Sequence, residues 1–213
     1  MKLIQTRQCS SDTCRFRFPW TETDPPGLSC PRCGAPVQVI HERGSLPAPN
    51  ALTKTATASI PIHALLDNLR STFNVGSILR SGDGAGVERI YLCGTTPTPD
   101  HPKVTKTALG AESQIAWSWH PNALDLAQQL QAAGAHLWAL EAAPRATALY
   151  TTPPPRDGQP LVLIVGHEVA GVDPDLLSLC EEVIALPMLG HKQSLNVAIA
   201  FGIATYGLRF GSG

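Results

Sequence analysis

Four of the six cysteines in the sequence stand in two close pairs near its start. Cys9 and Cys14 form the first pair, and Cys30 and Cys33 form the second within CPRCG. Two such pairs can place four thiolates at the corners of a tetrahedron, the geometry that Zn²⁺ prefers in closed structural sites. Two disulfides are the alternative, which a reducing cytoplasm disfavours. The spacing therefore predicts a structural zinc site in a segment too short to bury a core without a metal.

The stretch between the cysteine pairs alternates cationic and aromatic side chains, in RFRFPW at 15–20. Successive side chains of a strand point to opposite faces, so one face could contact phosphates while the other stacks on bases. The alternative is that Phe16, Phe18 and Trp20 pack around the zinc site. Residues 1–59 contain seven Lys or Arg and four acids, a balance of +3, against nine and thirteen, or -4, in the remainder. We therefore expect affinity for a polyanion to depend on the front segment.

Three polar segments further along the chain contain the other candidates for chemistry. Asn74 and Arg80 belong to the first, and Glu168 follows a strand pattern in the second. In the third, we expect Ser194 to cap the last helix and Asn196 to lie in its first turn, where its amide is free to meet a ligand or a partner chain. A capping network is the alternative for Asn196, and a simple exposed loop position is the alternative for Glu168.

Two of these segments partly match nucleotide-binding motifs, but neither match is complete. The three glycines within 82–86 follow a helical pattern rather than a strand, so they are expected to end that helix instead of forming a dinucleotide loop. The second segment resembles a P-loop, but Val172 and Asp173 stand where Lys and Ser or Thr should be. Asp173, followed by a proline, instead predicts the start of a helix.

The elements that must position these residues alternate between strands and helices. Such alternation indicates an α/β domain with a mostly parallel sheet, whose ligands bind beyond the carboxyl ends of its strands. The predicted strands are 61–66, 88–93, 115–119, 136–141, 161–166 and 183–188, and the predicted helices are 74–85, 122–133, 174–180 and 195–208.

The length and composition fit one ordinary globular domain plus a small one, since 43% of the 213 residues are hydrophobic and 15% are charged. The sequence predicts a zinc ribbon at 1–43, a linker at 44–59 and the α/β domain at 60–213. No stretch approaches the roughly 18 uninterrupted apolar residues of a membrane span. The first residues lack the apolar length of a signal peptide. We therefore expect a cytoplasmic protein with no membrane partner.

The three polar segments resemble the motifs of the TrmH-like RNA 2′-O-methyltransferases of the SPOUT superfamily. The motifs are NxxxxxR at 74–80, GxE at 166–168 and PMxGxxxSLNV at 187–197, in the order and spacing of that family. The resemblance covers approximately 60–210, and its third motif is long and specific. It implies a trefoil-knotted α/β domain, S-adenosylmethionine as cofactor, tRNA or rRNA as substrate, and a homodimer.

The resemblance also implies roles for individual residues. Because an arginine stays protonated, we expect Arg80 to stabilise the developing alkoxide or hold a phosphate, and not to act as the base. The loop before the last helix would wrap the cofactor. The resemblance places Asn74, Arg80, Glu168, Ser194 and Asn196 in the reaction centre, and Leu140, Gly166, Leu186, Met188 and Leu195 around the cofactor.

The sequence departs from the family pattern at two places. Gly207 stands where many relatives carry Glu, and RSGDG at 80–84 replaces the commoner RTADA, which bears on the rigidity of the first helix's end. Two other functions remain as alternatives. One is a non-catalytic RNA-binding or assembly factor that keeps the knotted fold, and the other is an NAD-dependent oxidoreductase, which the misplaced glycines oppose.

Overall fold

The computed structural model of the protein describes residues 3–25, 27–44 and 60–211. The chain divides into two compact units, Met1–Thr55 and Ala56–Gly213. Most of the predicted linker, 45–59, lies outside the described residues, whereas its first residue, Gly44, is the end of a strand. No helix among the described residues is long and apolar enough to cross a membrane.

The first unit contains a three-stranded antiparallel sheet in the order β2-β1-β3. Its strands are β1 (Leu3–Cys9), β2 (Arg17–Thr21) and β3 (Val37–Gly44). The register between β1 and β3 shifts at a β-bulge between Thr6 and Arg7. This bulge sets which side chains of β3 share a face with those of β1.

The second unit contains a seven-stranded sheet in the order β6-β5-β4-β9-β7-β10-β8, and all its pairings are parallel. The predicted α/β class with a mostly parallel sheet is therefore confirmed. The strands are β4 (Ile62–Asp67), β5 (Arg89–Cys93), β6 (Ala116–His120), β7 (His136–Leu140), β8 (Thr147–Ala148), β9 (Leu161–Val165) and β10 (Glu182–Ala185). The helices are α1 (Thr72–Ala85), α2 (Pro102–Ala108), α3 (Ala123–Ala132), α4 (Pro174–Leu179) and α5 (Val197–Phe210).

Helices cover both faces of this sheet, because its central strands are apolar at nearly every position. On one face, Leu66 and Leu163 belong to a core cluster that includes Ile78 of α1 and Phe201 of α5. On the other face, a second cluster joins the sheet to apolar residues of α3 and α4. Burying each such leucine contributes roughly 1.5–3 kcal/mol. The core therefore holds α1 and α5 side by side on the sheet.

Several details of the predicted elements were wrong. Helix α1 begins at Thr72 rather than Asn74, because the Ser71 side chain caps it by accepting from the Asn74 N–H. Strand β10 ends at Ala185, before a proline that cannot continue a ladder. Helix α5 begins at Val197, and its cap is Asn196 instead of Ser194. Of the glycines at 82–86, only the last ends α1, in a left-handed conformation. Helix α2 was missed, although it starts with a proline after a capping residue, His101, as α4 does after Asp173.

Candidate active site

A cavity of about 650 Å³ lies beyond the carboxyl ends of β7 and β9. The start of α1 and the loop that precedes α5 complete its wall. This is where an open parallel sheet is expected to bind its ligand. The cavity is lined by 21 residues within 70–74, 140–142, 165–171 and 185–200.

Nine of the ten residues that the sequence assigns to the reaction centre and the cofactor line this cavity. The exception is Arg80, which is exposed on α1 and is not part of the lining. Arg80 lies seven residues after Phe73 and three after Ser77, so these three share one face of the helix. The structure therefore separates the predicted catalytic cation from the residues expected to work with it. Those nine are Asn74, Leu140, Gly166, Glu168, Leu186, Met188, Ser194, Leu195 and Asn196.

A chain of hydrogen bonds joins the three polar segments at the cavity. The Asn196 amide Nδ2 donates to Asn74 Oδ1 at 3.0 Å, and Asn74 Nδ2 donates to Glu168 Oε1 at 3.1 Å. Asn196 Oδ1 meanwhile accepts from the N–H groups of Ala198 and Ile199 at 3.0 and 3.3 Å. The capping network that was the alternative for Asn196 is therefore present, and the same amide also orients the Asn74 side chain.

Glu168 organises the segment that leads into α1. Its carboxylate accepts from the backbone N–H of Arg70 at 3.1 Å and of Ser71 at 3.0 Å, in addition to the amide of Asn74. Burial alone would raise the pKa of Glu168, but these donors outweigh it and hold the pKa below its ordinary value. Glu168 is thus an ionised positioning group and not a simple exposed loop residue.

The loop that carries Glu168 is closed on itself. His167 and Gly171 exchange two backbone hydrogen bonds, at 3.0 and 2.8 Å. The His167 ring accepts from the N–H groups of the next turn, those of Val169 and Ala170. A Cβ on Gly166 would lie 2.3 Å from the carbonyl oxygen of Gly171, so only glycine fits at the start of this loop.

Glu141, which the sequence reasoning missed, also lines the cavity. Its carboxylate accepts from the Val172 N–H and from the Ala142 N–H, both at 3.0 Å. It therefore clamps the far end of the Glu168 loop from the end of β7. Its position at the carboxyl end of a predicted strand was the signal that could have identified it. Arg70, His167 and Gln193 are further lining residues that were missed.

The remainder of the predicted cofactor set supplies apolar and backbone surface. Leu140 and Leu186 are partly buried against the core, whereas Leu195 is 40% exposed. Ser194, although not a cap, is exposed at the cavity. Apolar walls with a few fixed polar groups are typical of a small-molecule site.

The four N-terminal cysteines form the other candidate site. Their sulfur atoms all lie within 4.8 Å of one another, and they are free thiols. The Cys9–Cys33 and Cys14–Cys30 sulfur pairs are 3.5 and 3.9 Å apart. Four sulfurs placed 2.3 Å from a tetrahedral ion lie about 3.8 Å apart, so the cluster fits Zn²⁺. Backbone N–H groups of Ser11 and Arg32 point at the sulfurs of Cys9 and Cys30, at 3.4 Å each.

Together, the parallel sheet, the cavity and the amide network define an α/β enzyme-like domain. Comparisons with known proteins identify the family to which this domain belongs. The model of the SpoU rRNA Methylase family matches residues 61–206. The chain therefore belongs to the SpoU rRNA methylase family. Among solved structures, it is similar to the AdoMet-bound rRNA methyltransferase from Sinorhizobium meliloti, at 28% identity and a TM-score of 0.66, over 71% of this chain and 57% of that one. The sheet thus matches that of SPOUT methyltransferases.

Two curated relatives are each 30% identical to the chain. One is the uncharacterized tRNA/rRNA methyltransferase slr1673 of Synechocystis, matched over 81% of this chain and 65% of the relative. The other is the 23S rRNA (guanosine(2553)-2′-O)-methyltransferase RlmP of Bacillus subtilis, matched over 68% and 56%. The matched region thus spans less than two thirds of either relative's length.

Proposed function

We propose that the protein is an S-adenosylmethionine-dependent methyltransferase that modifies a ribose 2′-OH of tRNA or rRNA in the cytoplasm. The observation that carries this proposal is the hydrogen-bond chain from Asn196 through Asn74 to Glu168, because it assembles all three family motifs at one cavity. The names of the relatives, which include rRNA 2′-O-methyltransferases, support the same reaction. The trefoil knot that the family resemblance implies is part of the proposal.

The cavity fits the proposed cofactor in size and chemistry. Its volume of about 650 Å³ is within the range of cofactor sites. We propose that Leu140, Leu186, Met188 and Leu195 enclose the adenosyl group, with the tight turn at Gly166 leaving room beside it. When bound, S-adenosylmethionine would supply a methyl group on a sulfonium. The ribose 2′-hydroxyl would accept the methyl group and lose its proton to water, and S-adenosylhomocysteine would be the leaving group.

The protein's own part in this reaction is alignment and charge stabilisation. Glu168 fixes the backbone before α1, and the Asn74 and Asn196 amides hold each other in one orientation. Ser194 stands at the cavity edge, where its hydroxyl can hold a ribose or phosphate oxygen. An arginine stabilises the developing alkoxide but does not remove the proton, because it stays protonated.

Arg80 reaches the reaction centre, in this proposal, from a second copy of the chain. A shallow apolar groove of about 590 Å³ lies between α1 and α5, and Phe73, Ile199 and Tyr206 in its lining are 67%, 57% and 46% exposed. Asn196 lines both this groove and the cavity. A homodimer that covers the groove therefore brings the Arg80 face of the partner subunit next to the cavity.

We propose that the four-cysteine cluster holds a structural Zn²⁺ and makes residues 1–43 a zinc ribbon. The sulfur spacing supports this assignment, as does the small number of apolar residues that this unit buries. The metal would supply the folding free energy that a small apolar core cannot.

Titration calorimetry with S-adenosylhomocysteine and with NAD tests the cofactor. Tritiated S-adenosylmethionine, with rRNA and tRNA from cells that lack the gene, tests transfer. We expect binding of S-adenosylhomocysteine alone and 2′-O-methylated nucleotides in one RNA fraction. Cofactor binding without transfer to either fraction would instead support the non-catalytic RNA-binding factor, and NAD binding would support the oxidoreductase.

A further inference from the structure

The two faces of the N-terminal sheet carry different charges. Cross-strand partners share a face, so the register places three rows of residues on one side. We name this side the basic face. Its rows are Arg17, Gln8 and Gln38; Pro19, Thr6 and His41; and Thr21, Ile4 and Arg43.

The β-bulge produces this distribution of charge. Thr6 pairs with His41 while Arg7 pairs with Val39, so Ile40 is the extra residue. Without it, strict alternation from Gln38 would place Glu42 on the basic face and turn Arg43 away. With it, none of the strand residues on this face is acidic.

On the opposite face, the charged side chains contact other residues of the same unit. The Arg7 guanidinium lies 3.9 Å over the Trp20 ring, donates to Gln5 Oε1 at 2.7 and 2.9 Å, and donates to the carbonyl of Gly27. Gln5 also donates to Glu42 at 2.8 Å. The Arg7 guanidinium thus covers one face of the Trp20 ring, so this face is not available for stacking on a base.

The cations of the basic face, by contrast, are unused. Arg17 and Arg43 are exposed, and neither guanidinium group has a hydrogen bond or ion pair with another described residue. They lie four residues apart along the strands and two strands apart across the sheet, a diagonal of about 16 Å. Amide and hydroxyl side chains, which also bind phosphate oxygens, lie between them.

We propose that the basic face binds the phosphate backbone of RNA. This inference rests on the proposed function for its choice of polyanion. The two arginines make charge-assisted contacts with phosphates several nucleotides apart. Because such contacts recognise no base, the face adds affinity and positions the RNA, while selection of the nucleotide belongs to the cavity.

A charge-matched pair of double variants of the full chain tests the proposal. The first is Arg17→Ala with Arg43→Ala. The control is Arg15→Ala with Arg32→Ala, which removes the same charge from the two cysteine loops, where both side chains are also exposed. Binding of a fluorescein-labelled 20-nucleotide uridine RNA is measured by anisotropy between 50 and 200 mM KCl.

We expect the first variant to bind more weakly and to lower the slope of log affinity against log salt by about 1.4, since each single-strand phosphate contact contributes about 0.7. The control should keep most of the affinity and slope. Equal losses in both variants, or no loss in the first, would overturn the basic face as the site. Calorimetry with S-adenosylhomocysteine should give the same affinity for both variants and the parent, so failure here is separable from failure of the proposed function.

Discussion

The side-chain amide of Asn196 donates to the side-chain oxygen of Asn74 at 3.0 Å, across 122 positions of the chain. One side chain therefore has two tasks, because its oxygen caps α5 while its nitrogen orients the Asn74 side chain. Substitutions can separate these tasks. An aspartate keeps the capping oxygen but replaces the donor with a second acceptor facing Asn74.

We predict that Asn196→Asp keeps the free energy of unfolding within about 0.5 kcal/mol of the parent, since Asp and Asn cap helices equally well. Methyl transfer should fall about 10²-fold, because the misoriented Asn74 no longer aligns the site. Urea unfolding and single-turnover transfer measure the two quantities. The control, Asn196→Ala, should lose about 1 kcal/mol as well as activity. Full activity of the aspartate variant would refute the orienting role.

Arg80→Ala should leave the affinity for S-adenosylhomocysteine unchanged and lower the transfer rate about 10²-fold, the scale for removing one stabilising donor. If Arg80 acts across a dimer, a mixture of the Arg80→Ala and Asn196→Ala chains contains heterodimers with one intact site. Random mixing should then restore about a quarter of parental activity. No recovery on mixing, or a monomer by light scattering, would place Arg80 in its own chain's site or outside the reaction. The same rate measurement on Arg70→Ala tests whether Arg70, which already lines the cavity, contributes to transfer instead.

Two glycines of α1 should respond oppositely to alanine. A Cβ on Gly76 would lie 2.6 Å from Thr107 Cβ and 2.7 Å from the Val104 carbonyl oxygen, so Gly76→Ala should cost about 1–3 kcal/mol through overpacking against α2. A Cβ on Gly82 would meet its nearest atom at 3.4 Å, an ordinary contact. Gly82→Ala should therefore stabilise the helix by about 0.5–1 kcal/mol. Urea unfolding measures the change in the free energy of unfolding for both variants. A destabilised Gly82→Ala would contradict the packing described around Gly82.

A histidine far along β7 from the cavity should make stability depend on pH. His136 contacts Glu181 at 2.7 Å and Asp157 at 2.8 Å, and these two hydrogen bonds raise its pKa above the ordinary 6.5. The stabilisation is therefore complete below pH 6.5 and is lost as the pH rises through the folded-state pKa. We expect His136→Gln to lower the thermal midpoint more at pH 6 than at pH 8.5. The same decrease at both values would exclude the charged histidine as the cause.

Removal of zinc should expose four thiols per chain. A strong chelator should release the metal, unfold the N-terminal unit and make the four clustered cysteines reactive towards a chromogenic disulfide reagent. Cys93 and Cys180 are buried in the second unit and should stay unreactive, which makes them an internal control. Affinity for S-adenosylhomocysteine should persist. Rapid reaction of all four thiols before chelation would argue against a metal.

Apolar runs bounded by polar loops predicted the sheet, because these patterns are local. The nine cavity residues were implied by the family resemblance, which rests on three motifs. Prediction from the sequence failed where the structure depends on contacts between distant segments. Ser194 and Asn196 are both good caps by type, and the structure uses Asn196, which also contacts Asn74. Glu141 was missed because its partner, the Val172 N–H, lies 31 positions away. No periodicity specifies such a contact, since the folded sheet alone brings the two loops together.

The hydrogen-bond chain at the cavity can form only late in the synthesis of the protein. Asn74 and Glu168 are synthesised well before Asn196, so a growing chain that lacks position 196 has the sheet strands but no completed reaction centre. Helix α5 contains Phe201, which packs in the core, and its cap, Asn196, contacts Asn74. The proposed methyl transfer therefore requires this helix to have been made and docked, because a shorter nascent chain lacks one end of the hydrogen-bond chain.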